Sequence, residues 1–386
     1  MGKEFVMKEE ISLFKKSIKS FADKEIAPFY DQWEEKGIIP RTLWNKLGEA
    51  GLLCVDIPEK YGGIGASVHF SARVVDEFNR LGYSSLAGNV AVHSDIVAHY
   101  ILNAGTEEQK AHYLPKMASG EYVGAIAMTE PGAGSDLQGI KTYARKDPST
   151  GHYIINGAKT FISNGQHFDF VIVAARTNPD APASKGTTLF IVDAKREGVI
   201  KGKKLKKMGL HSADTSEIFF ENVQVPSTQI LGELDKGFVI LMKELPRERT
   251  ILAVGACGGM EGILEMTIHY LHQREAFGKP LSRFQAIRHK IAEMTAEAKI
   301  NRVFAEHCLD LLAKRELSTA DASIAKLSST EAQGRIVDGC LQLFGGYGYM
   351  EEYPVARAYR DARVQSIYGG TSEIMKEIIS RDVLGK

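Results

Sequence analysis

The spacing of apolar residues changes twice along this chain of 386 residues, and that change most limits the folds it can adopt. Up to about residue 120, apolar side chains recur every three or four positions, which is the period of amphipathic helices. Short apolar runs separated by turn residues then extend to about residue 232, after which the helical period returns. The sequence therefore predicts an α+β multidomain protein with an N-terminal α-helical domain (1–120), a middle β domain (121–232) and a C-terminal helical bundle (233–386).

Each helical segment carries one apolar stripe. Near the N-terminus this stripe consists of Ile11, Phe14, Ile18 and Phe21. A longer stripe predicts a helix of the C-terminal bundle and consists of Phe284, Ile287, Ile291, Met294 and Ala298. Further helical pattern covers Ser67–Ala118 and Ala320–Leu343.

The middle domain is predicted to be a small β-barrel or sandwich. Its strands are expected at the apolar runs Tyr122–Met128, Tyr153–Asn156, Phe168–Ala175, Thr188–Val192 and Glu217–Phe220. Two dipeptides in this segment, Asn156-Gly157 and Asn164-Gly165, are of the type preferred in hairpin turns because both residue types tolerate positive φ. Each dipeptide is therefore predicted to form a turn.

The charge balance gives no indication of a nucleic-acid or membrane partner, because 48 basic residues offset 48 acidic ones. The segment Lys201–Lys207 holds five lysines, a pattern more typical of a solvated loop than of a binding patch. If it is a patch, the phosphates of coenzyme A are its expected ligand.

Cysteine usage indicates a reducing compartment. Four cysteines lie far apart without metal-ligand spacing, so the sequence predicts neither disulfides nor a metal site. Residues Met1–Lys8 lack the apolar stretch of a secretory signal, and no apolar run approaches the ~18 residues that a membrane-spanning helix needs. A cytoplasmic protein without membrane insertion is expected.

Three segments carry the functional information. Met128–Asp136 (MTEPGAGSD) combines glycines, which allow close approach of the backbone to a ligand, with Thr and Ser hydroxyls, although such a loop is often only a turn. Arg274–Leu281 (REAFGKPL) is predicted to close a long helix, with Gly278 as the stop and Pro280 preventing a restart. Gln342–Tyr349 (QLFGGYGY) would by itself be a loop between helices.

Taken together and in this order, the three segments resemble the acyl-CoA dehydrogenase family over nearly the whole chain. The similarity is greatest to the long-chain acyl-CoA dehydrogenase branch. The stretches that carry this closer similarity are Gly134–Thr142, Lys206–Leu210, Met242–Pro246 and Ile367–Thr371.

The resemblance implies a fold and an activity. The fold would be an N-terminal α-helical domain, a middle β-barrel or sandwich and a C-terminal four-helix bundle. The activity would be the FAD-dependent removal of two hydrogens from carbons α and β of an acyl-CoA thioester, with electrons passed to an electron-transferring flavoprotein. A homotetramer built from two dimers is also implied, because family members share the FAD site between subunits.

The resemblance also assigns site residues. Thr129 and Ser163 would hydrogen-bond the flavin ring, Phe161 would pack beside it, and Ser135 would lie near the thioester. Residues expected to hold the adenosine and pyrophosphate of FAD, partly across a subunit boundary, are Arg274, Phe277, Gln285, Gln342 and Gly346. Thr371 and Glu373 match a final flavin contact.

The catalytic base cannot lie where many family members have it. Those members carry a Glu directly after the Tyr that matches Tyr368. Here that position is Gly369, which has no side chain. The long-chain and isovaleryl branches instead place the Glu in a Glu-Arg pair early in a long helix, and this chain has Glu248-Arg249. The resemblance thus makes Glu248 the base, with the N–H of Gly369 polarising the thioester carbonyl.

A structural interpretation of Glu248 remains open at this stage. Pro246 suits a first helical turn, where an acidic residue complements the helix dipole, and Arg247 or Arg249 could pair with Glu248. Either effect would lower the pKa of Glu248, against the need of a base. Arg249 is a packing or substrate-side residue, and His93 and His99 are expected to be structural.

Other functions fit the same fold. An acyl-CoA oxidase would pass electrons to oxygen, although many oxidases of this superfamily carry an additional helical domain. A non-catalytic flavin- or acyl-CoA-binding protein would bind substrate without turnover, and a reductase would run the reaction in reverse. Chain-length preference is not fixed by the sequence, and long or branched acyl chains are favoured by similarity.

Overall fold

The structure is a computed structural model that describes residues 2–385, with the side chains of residues 9–385. Its first part is helical, as predicted, and comprises α1 (Gly2–Glu25), α2 (Tyr30–Lys36), α3 (Thr42–Glu49), α4 (Val68–Arg80), α5 (Ser84–Val90), α6 (Ala98–Ala104) and α7 (Glu107–Ala118). The predicted stripe of α1 is its buried face, because Ile18 is fully buried while Phe14 and Phe21 pack against the same core. A π-helical stretch, Ala91–Val97, joins α5 to α6.

The middle part is an eight-stranded sheet in which β1 pairs in parallel with β4. The remaining strands follow the order β6-β7-β3-β2-β4-β5-β8. The strands are β1 (Gly124–Ala127), β2 (Tyr143–Lys146), β3 (Tyr153–Ser163), β4 (Phe170–Arg176), β5 (Thr187–Asp193), β6 (Val199–Lys204), β7 (Thr215–Val225) and β8 (Ile230–Leu231), with the short helix α8 (Ala183–Gly186) before β5.

One of the two predicted turns is wrong. Gly157 lies inside β3, where the register with β7 shifts between Ile155 and Gly157, so it forms a bulge. A Cβ at Gly157 would lie 2.3 Å from the Thr142 hydroxyl. This close approach of Thr142 leaves no room for a side chain at position 157. Asn164 does begin a turn after β3 with a φ of 61°, as expected.

The last part consists of long helices and a small hairpin. The helices are α9 (Gly237–Gln273), α10 (Gln285–Lys314), α11 (Thr319–Phe344), α12 (Pro354–Ala362) and α13 (Ser372–Leu384), and the hairpin is formed by β9 (Glu275–Ala276) and β10 (Lys279–Pro280). Among the described residues, α9 is the helix long and apolar enough to cross a membrane by length and composition. Because 67% of its most apolar window is buried inside the protein, it has the character of a central helix in a folded domain.

The segment Arg274–Leu281 is not the helix C-cap that its sequence predicts. Helix α9 already ends at Gln273, and Phe277 and Gly278 form the tip of the β9–β10 hairpin with φ of 52° and 77°. A glycine such as Gly278 can end a helix, but in this hairpin it supplies the positive φ of a tight turn.

Two of the three apolar cores join different parts of the chain. In one, Phe78 of α4 packs with Val254 of α9 and Ile336 of α11. In the second, Tyr100 of α6 and Leu241 of α9 pack against one face of the sheet, where they meet side chains of β4. Because α9 contributes to both cores, its side chains that face α6 lie where the helical parts and the sheet meet.

Candidate active site

Glu248 lies in the interior of α9 and points at α6. Only 5% of the residue is exposed, and the Tyr100 hydroxyl donates a 2.9 Å hydrogen bond to one carboxylate oxygen. Burial raises the pKa of Glu248 to about 7, a shift that the Tyr100 hydrogen bond partly offsets. A carboxyl group that titrates near neutral pH is suited to proton transfer.

The structural interpretation of Glu248 does not fit this geometry. Because α9 begins at Gly237, Pro246 lies inside the helix. Glu248 is therefore outside the first turn, and the helix dipole acts on charged groups only within that turn. Arg247 turns away and binds Asp56 at 2.5 Å. Arg249 donates to the hydroxyl of Ser323, so neither arginine forms an ion pair with Glu248 in the described structure.

Gly369 lies beside the same face of α9. Its φ is 63°, and a Cβ at this position would come within 2.5 Å of the Leu252 Cδ1 atom. Leu252 follows Glu248 by one helical turn, so positions 369 and 248 border the same space. Lys326, which is fully buried, holds the next residue, Gly370, in place: its ammonium donates a 2.7 Å hydrogen bond to the Gly370 carbonyl.

A buried polar cluster anchors α9 next to Glu248, and the sequence gives no local signal for it. Arg247 binds Asp56 and also approaches Asp95 at 3.7 Å, while His99 binds Asp56 at 3.0 Å. The guanidinium of Arg247 and the ring of His99 hold the pKa of Asp56 far below its usual range. The pKa of Asp95 rises to about 7 because of its burial. The cluster thus fixes the helix turn before Glu248.

The Gly-rich segment Met128–Asp136 is held by a residue within it, Glu130. Its carboxylate accepts hydrogen bonds from the backbone N–H groups of Lys141 and Thr142, at 2.7 and 3.0 Å. It also forms a buried ion pair with Lys159 of β3 at 2.8 Å. Sequence reasoning assigned no role to Glu130 or Lys159, which organise the segment.

The structure places Thr129, Phe161 and Ser163 close together. The backbone N–H of Thr160 donates to the Thr129 carbonyl at 3.0 Å, which brings the end of β3 beside the Gly-rich segment. Phe161 has a φ of 58° and is 68% exposed, and Ser163 follows it at the end of β3. Ser135 lies exposed in the same segment.

A second group of predicted site residues gathers at the C-terminal end of α9. Arg274 lies over the ring of Tyr347 at 5.6 Å, which connects it to the turn that contains Gly346. Phe277 is 95% exposed at the tip of the hairpin. Gln342 lies in the last turn of α11, and Gln285 begins α10.

Thr371 and Glu373 belong to the start of α13. The Thr371 hydroxyl caps this helix by accepting from the N–H of Ile374, and Glu373 is exposed in its first turn. No hydrogen bond or ion pair among the described residues joins the group around Phe161 to the group around Arg274. The group around Phe161 lies on the sheet, and the group around Arg274 lies at the ends of the long helices.

His93 and lysines of the segment Lys201–Lys207 make hydrogen bonds to the backbone. His93 accepts from the N–H of Gly124 and donates to the Met117 carbonyl, and burial lowers its pKa to about 4. The segment Lys201–Lys207 is largely exposed to solvent, as predicted, but its first residues belong to strand β6 instead of a loop. Lys201, Lys204 and Lys207 donate to backbone carbonyls at 2.6–2.8 Å.

All four cysteines are buried and free. Between residues 2 and 385 there is no group of three or more His, Cys, Asp or Glu side chains that could hold a metal ion.

Three family models match the chain one after another. They are the N-terminal domain of acyl-CoA dehydrogenase at residues 8–121, the middle domain at residues 125–223 and the C-terminal domain at residues 235–384. The N-terminal, middle and C-terminal models coincide with the first helices, the sheet and the last helices of the fold. Together they cover most of the chain.

Individual proteins agree with these models. The mitochondrial long-chain specific acyl-CoA dehydrogenase of Sus scrofa is 46% identical over 386 residues, which is 100% of this chain and 89% of that protein. The crystal structure of acyl-CoA dehydrogenase from Geobacillus kaustophilus has a TM-score of 0.94 and 45% identity, and the match covers 97% and 98% of the two chains. An acyl-CoA dehydrogenase complexed with FAD from Bacillus anthracis has a TM-score of 0.92 and 33% identity, with 98% and 68% covered. This chain is an oxidoreductase that belongs to the acyl-CoA dehydrogenase family.

Proposed function

We propose that this protein converts acyl-CoA thioesters to trans-2-enoyl-CoA with FAD as the oxidant and Glu248 as the catalytic base. The observation that carries this proposal is the position of Glu248, a buried carboxylate that faces Tyr100 and lies one helical turn from Leu252, against which Gly369 packs. A base needs to be ionised near neutral pH and still basic enough to take a proton, and this environment provides both properties.

The chemistry of the chain's own residues follows from this arrangement. The ionised Glu248 takes the α-proton, and the electron pair of that C–H bond forms the new double bond as the β-hydrogen leaves with its own pair. FAD, when bound, accepts that hydrogen and pair. The N–H of Gly369 polarises the thioester carbonyl and so acidifies the α-proton. Arg249 and Ser135 are proposed to lie on the substrate side.

The residues of the chain suit a flavin cofactor. Phe161 is an exposed ring at the end of a strand, next to Thr129 and Ser163, and an apolar ring of this kind suits the face of an isoalloxazine. Cβ atoms at Gly132, Gly134, Gly345 and Gly346 would meet nothing within 4 Å, which leaves the backbone of both loops open to a ligand.

A homotetramer made of two dimers is proposed as well. FAD is proposed to lie between two copies, in contact with the group around Phe161 on the sheet and with the group at the ends of the long helices, which consists of Arg274, Phe277, Gln285, Gln342 and Gly346. The 95% exposed Phe277 supports this, because such rings are usually covered by a partner or a ligand. Thr371 and Glu373 are assigned to a flavin contact on family resemblance.

The finer aspects of function rest on similarity. A long-chain substrate is favoured, with branched chains next, because a long-chain specific relative is 46% identical over the whole chain. An electron-transferring flavoprotein is the proposed acceptor. Free, buried cysteines are consistent with the expected cytoplasmic location.

The test is an anaerobic titration of the FAD-reconstituted protein with palmitoyl-CoA, octanoyl-CoA and isovaleryl-CoA, followed in the visible flavin band. Bleaching by one acyl-CoA would support the proposed activity and rank the substrates. Glu248→Gln, which keeps the shape but not the basicity, should slow bleaching by at least ~10²-fold. A Glu248→Gln rate equal to the wild-type rate would exclude Glu248 as the base.

The same experiment separates the alternative functions. Oxygen uptake on mixing with substrate in air would indicate an acyl-CoA oxidase instead of a dehydrogenase. Binding of acyl-CoA without any bleaching would indicate a non-catalytic binding protein. Reoxidation of chemically reduced protein by enoyl-CoA, without bleaching by acyl-CoA, would indicate a reductase.

A further inference from the structure

Glu248 has a second carboxylate beside it. Glu244 precedes it by one turn of α9, so both side chains lie on the same face of the helix. Opposite them on α6 stand Tyr100 and Asn103, also one turn apart. Tyr100 donates to Glu248 at 2.9 Å and Asn103 donates to Glu244 at 2.9 Å, so the two helices are joined by two parallel hydrogen bonds.

The two carboxylates differ in their surroundings. The Tyr100 ring and Glu248 are buried, whereas Asn103 is exposed and marks the outer edge of the contact between α6 and α9. Glu244 is itself buried, with 8% of the residue exposed against 5% for Glu248, and its partner Asn103 lies at that outer edge. Burial raises the pKa of Glu244, and the hydrogen bond from Asn103 and the charges of Arg247 and Lys243 oppose that rise.

We propose that Glu244 is a positioning residue for the base: its charge, held one turn away by Asn103, delays ionisation of Glu248. This inference rests on the proposed role of Glu248. A like charge at this separation disfavours a second charge, and the two groups titrate as a coupled pair. The effect keeps Glu248 basic enough to take the weakly acidic α-proton.

Few other charges act on Glu248. From α6 it faces Tyr100, and on its own helix the charge of Arg249 lowers its pKa. From α11, the Lys326 ammonium donates to the carbonyl of Gly370 at 2.7 Å. The groups of the neighbouring polar cluster, which are Asp56, Asp95 and His99, face the side chain of Arg247. Glu244, one turn away on the same helix, is the neighbouring carboxylate whose charge raises the pKa of Glu248.

The experiment is the pH dependence of flavin bleaching by saturating acyl-CoA, measured anaerobically in a stopped-flow instrument from about pH 5 to 9. Glu244→Gln should move the acidic limb of the rate profile to lower pH by about 1 unit, because the like charge is lost. The plateau rate at high pH should stay close to wild type. Glu244→Asp, which retains the charge, should keep the wild-type limb.

Matched variants make the outcome decisive. Glu265→Gln removes a carboxylate from the exposed side of the same helix and should leave the profile unchanged. Glu244→Ala provides a second neutral variant in case Glu244→Gln does not fold with FAD. An acidic limb that stays in place in the neutral variants, with a normal plateau, would overturn the inference.

Glu248→Gln is included to separate this inference from the proposed function. If Glu248→Gln is slow and the Glu244 variants leave the limb in place, only the role of Glu244 fails. If Glu248→Gln bleaches at the wild-type rate, the proposed base fails, and the role of Glu244 fails with it.

Discussion

Gly369 lies against Leu252, one turn of α9 beyond Glu248, and a Cβ at position 369 would come within 2.5 Å of the Leu252 Cδ1 atom. The space that a side chain at 369 would enter is therefore occupied from α9, the helix that carries the proposed base. The absence of a side chain at 369 and the presence of a carboxylate at 248 belong to the same packing arrangement.

Replacing Gly369 with Ala tests this arrangement. The variant places a Cβ at a φ of 63°, which costs roughly 1–2 kcal/mol, and this Cβ enters the space of the Leu252 side chain. We expect a lower urea midpoint and slower flavin bleaching. Gly334→Ala is the control, since Gly334 lies in α11 with nothing within 4 Å of its Cβ position and should gain up to ~1 kcal/mol. Equal stabilities of Gly369→Ala and wild type would contradict the packing argument.

Tyr100→Phe removes the donor to Glu248 and leaves the ring in place. The hydrogen bond favours the ionised carboxylate, so its loss should raise the pKa of Glu248 and move the acidic limb of bleaching to higher pH by about 1 unit. Tyr113→Phe removes a buried hydroxyl bound to Gln229, remote from Glu248, and serves as control. A limb that does not move, or moves to lower pH, would show that the hydroxyl does not stabilise the charge.

The order of helices and strands could be predicted because hydrophobic periodicity is a local signal. The failures also have a local cause. Gly157 and Gly278 both occur in sequences that favour positive φ, but positive φ serves a bulge, a hairpin tip or a helix end equally well. Which of these forms depends on neighbours such as Thr142, which approaches Gly157 from the residue just before β2.

The site was only partly predictable for a similar reason. Glu248 and Gly369 could be selected from resemblance to a family, but the environment that makes Glu248 basic comes from distant residues. Tyr100 is 148 positions away in sequence, and Asp56, which draws Arg247 away from Glu248, is 191 positions from Arg247. No pattern within one segment indicates such partners.

Glu248→Gln should make the protein more stable at alkaline pH. The pKa of Glu248 rises from its ordinary 4.5 to about 7 on folding, so the folded state binds the proton more tightly than the unfolded state. Stability from this group is fully present below about pH 4.5 and is lost as the pH rises through about 7, a loss of roughly 3 kcal/mol. Gln avoids that loss.

Urea midpoints of Glu248→Gln and wild type, measured from pH 5 to pH 8, check this prediction. The advantage of the variant should grow with pH, while Glu265→Gln should show no pH-dependent difference from wild type. A constant difference at every pH would mean that Glu248 is not a buried titrating group.

Arg247→Gln should destabilise the junction between α9 and the N-terminal helices. It leaves Asp56 and Asp95 buried without their cation, and breaking a buried pair in this way costs about 3–5 kcal/mol. Arg381→Gln is the control, because its pair with Glu377 is exposed and should contribute less than ~1 kcal/mol. Thermal unfolding of both variants gives the comparison, and similar losses would refute the anchoring role.

Lys159→Met should loosen the Gly-rich segment and weaken retention of FAD. The Lys159 ammonium is fully buried and donates to the Met128 carbonyl at 3.0 Å as well as to the Glu130 carboxylate. It therefore binds the Gly-rich segment at two points, Met128 and Glu130. Its removal leaves Glu130 charged and buried, held only by two backbone N–H groups, at a cost of about 3 kcal/mol. The ratio of flavin to protein absorbance after gel filtration should fall.

Lys141→Met separates loss of this buried pair from loss of positive charge near the segment. The Lys141 side chain is exposed, and its backbone N–H, which binds Glu130, remains in the variant. Flavin content should therefore match wild type in Lys141→Met and fall in Lys159→Met. If Lys159→Met retained its flavin and its thermal midpoint, the Glu130–Lys159 pair would have no part in shaping the cofactor segment, and the segment's own turns would have to hold it.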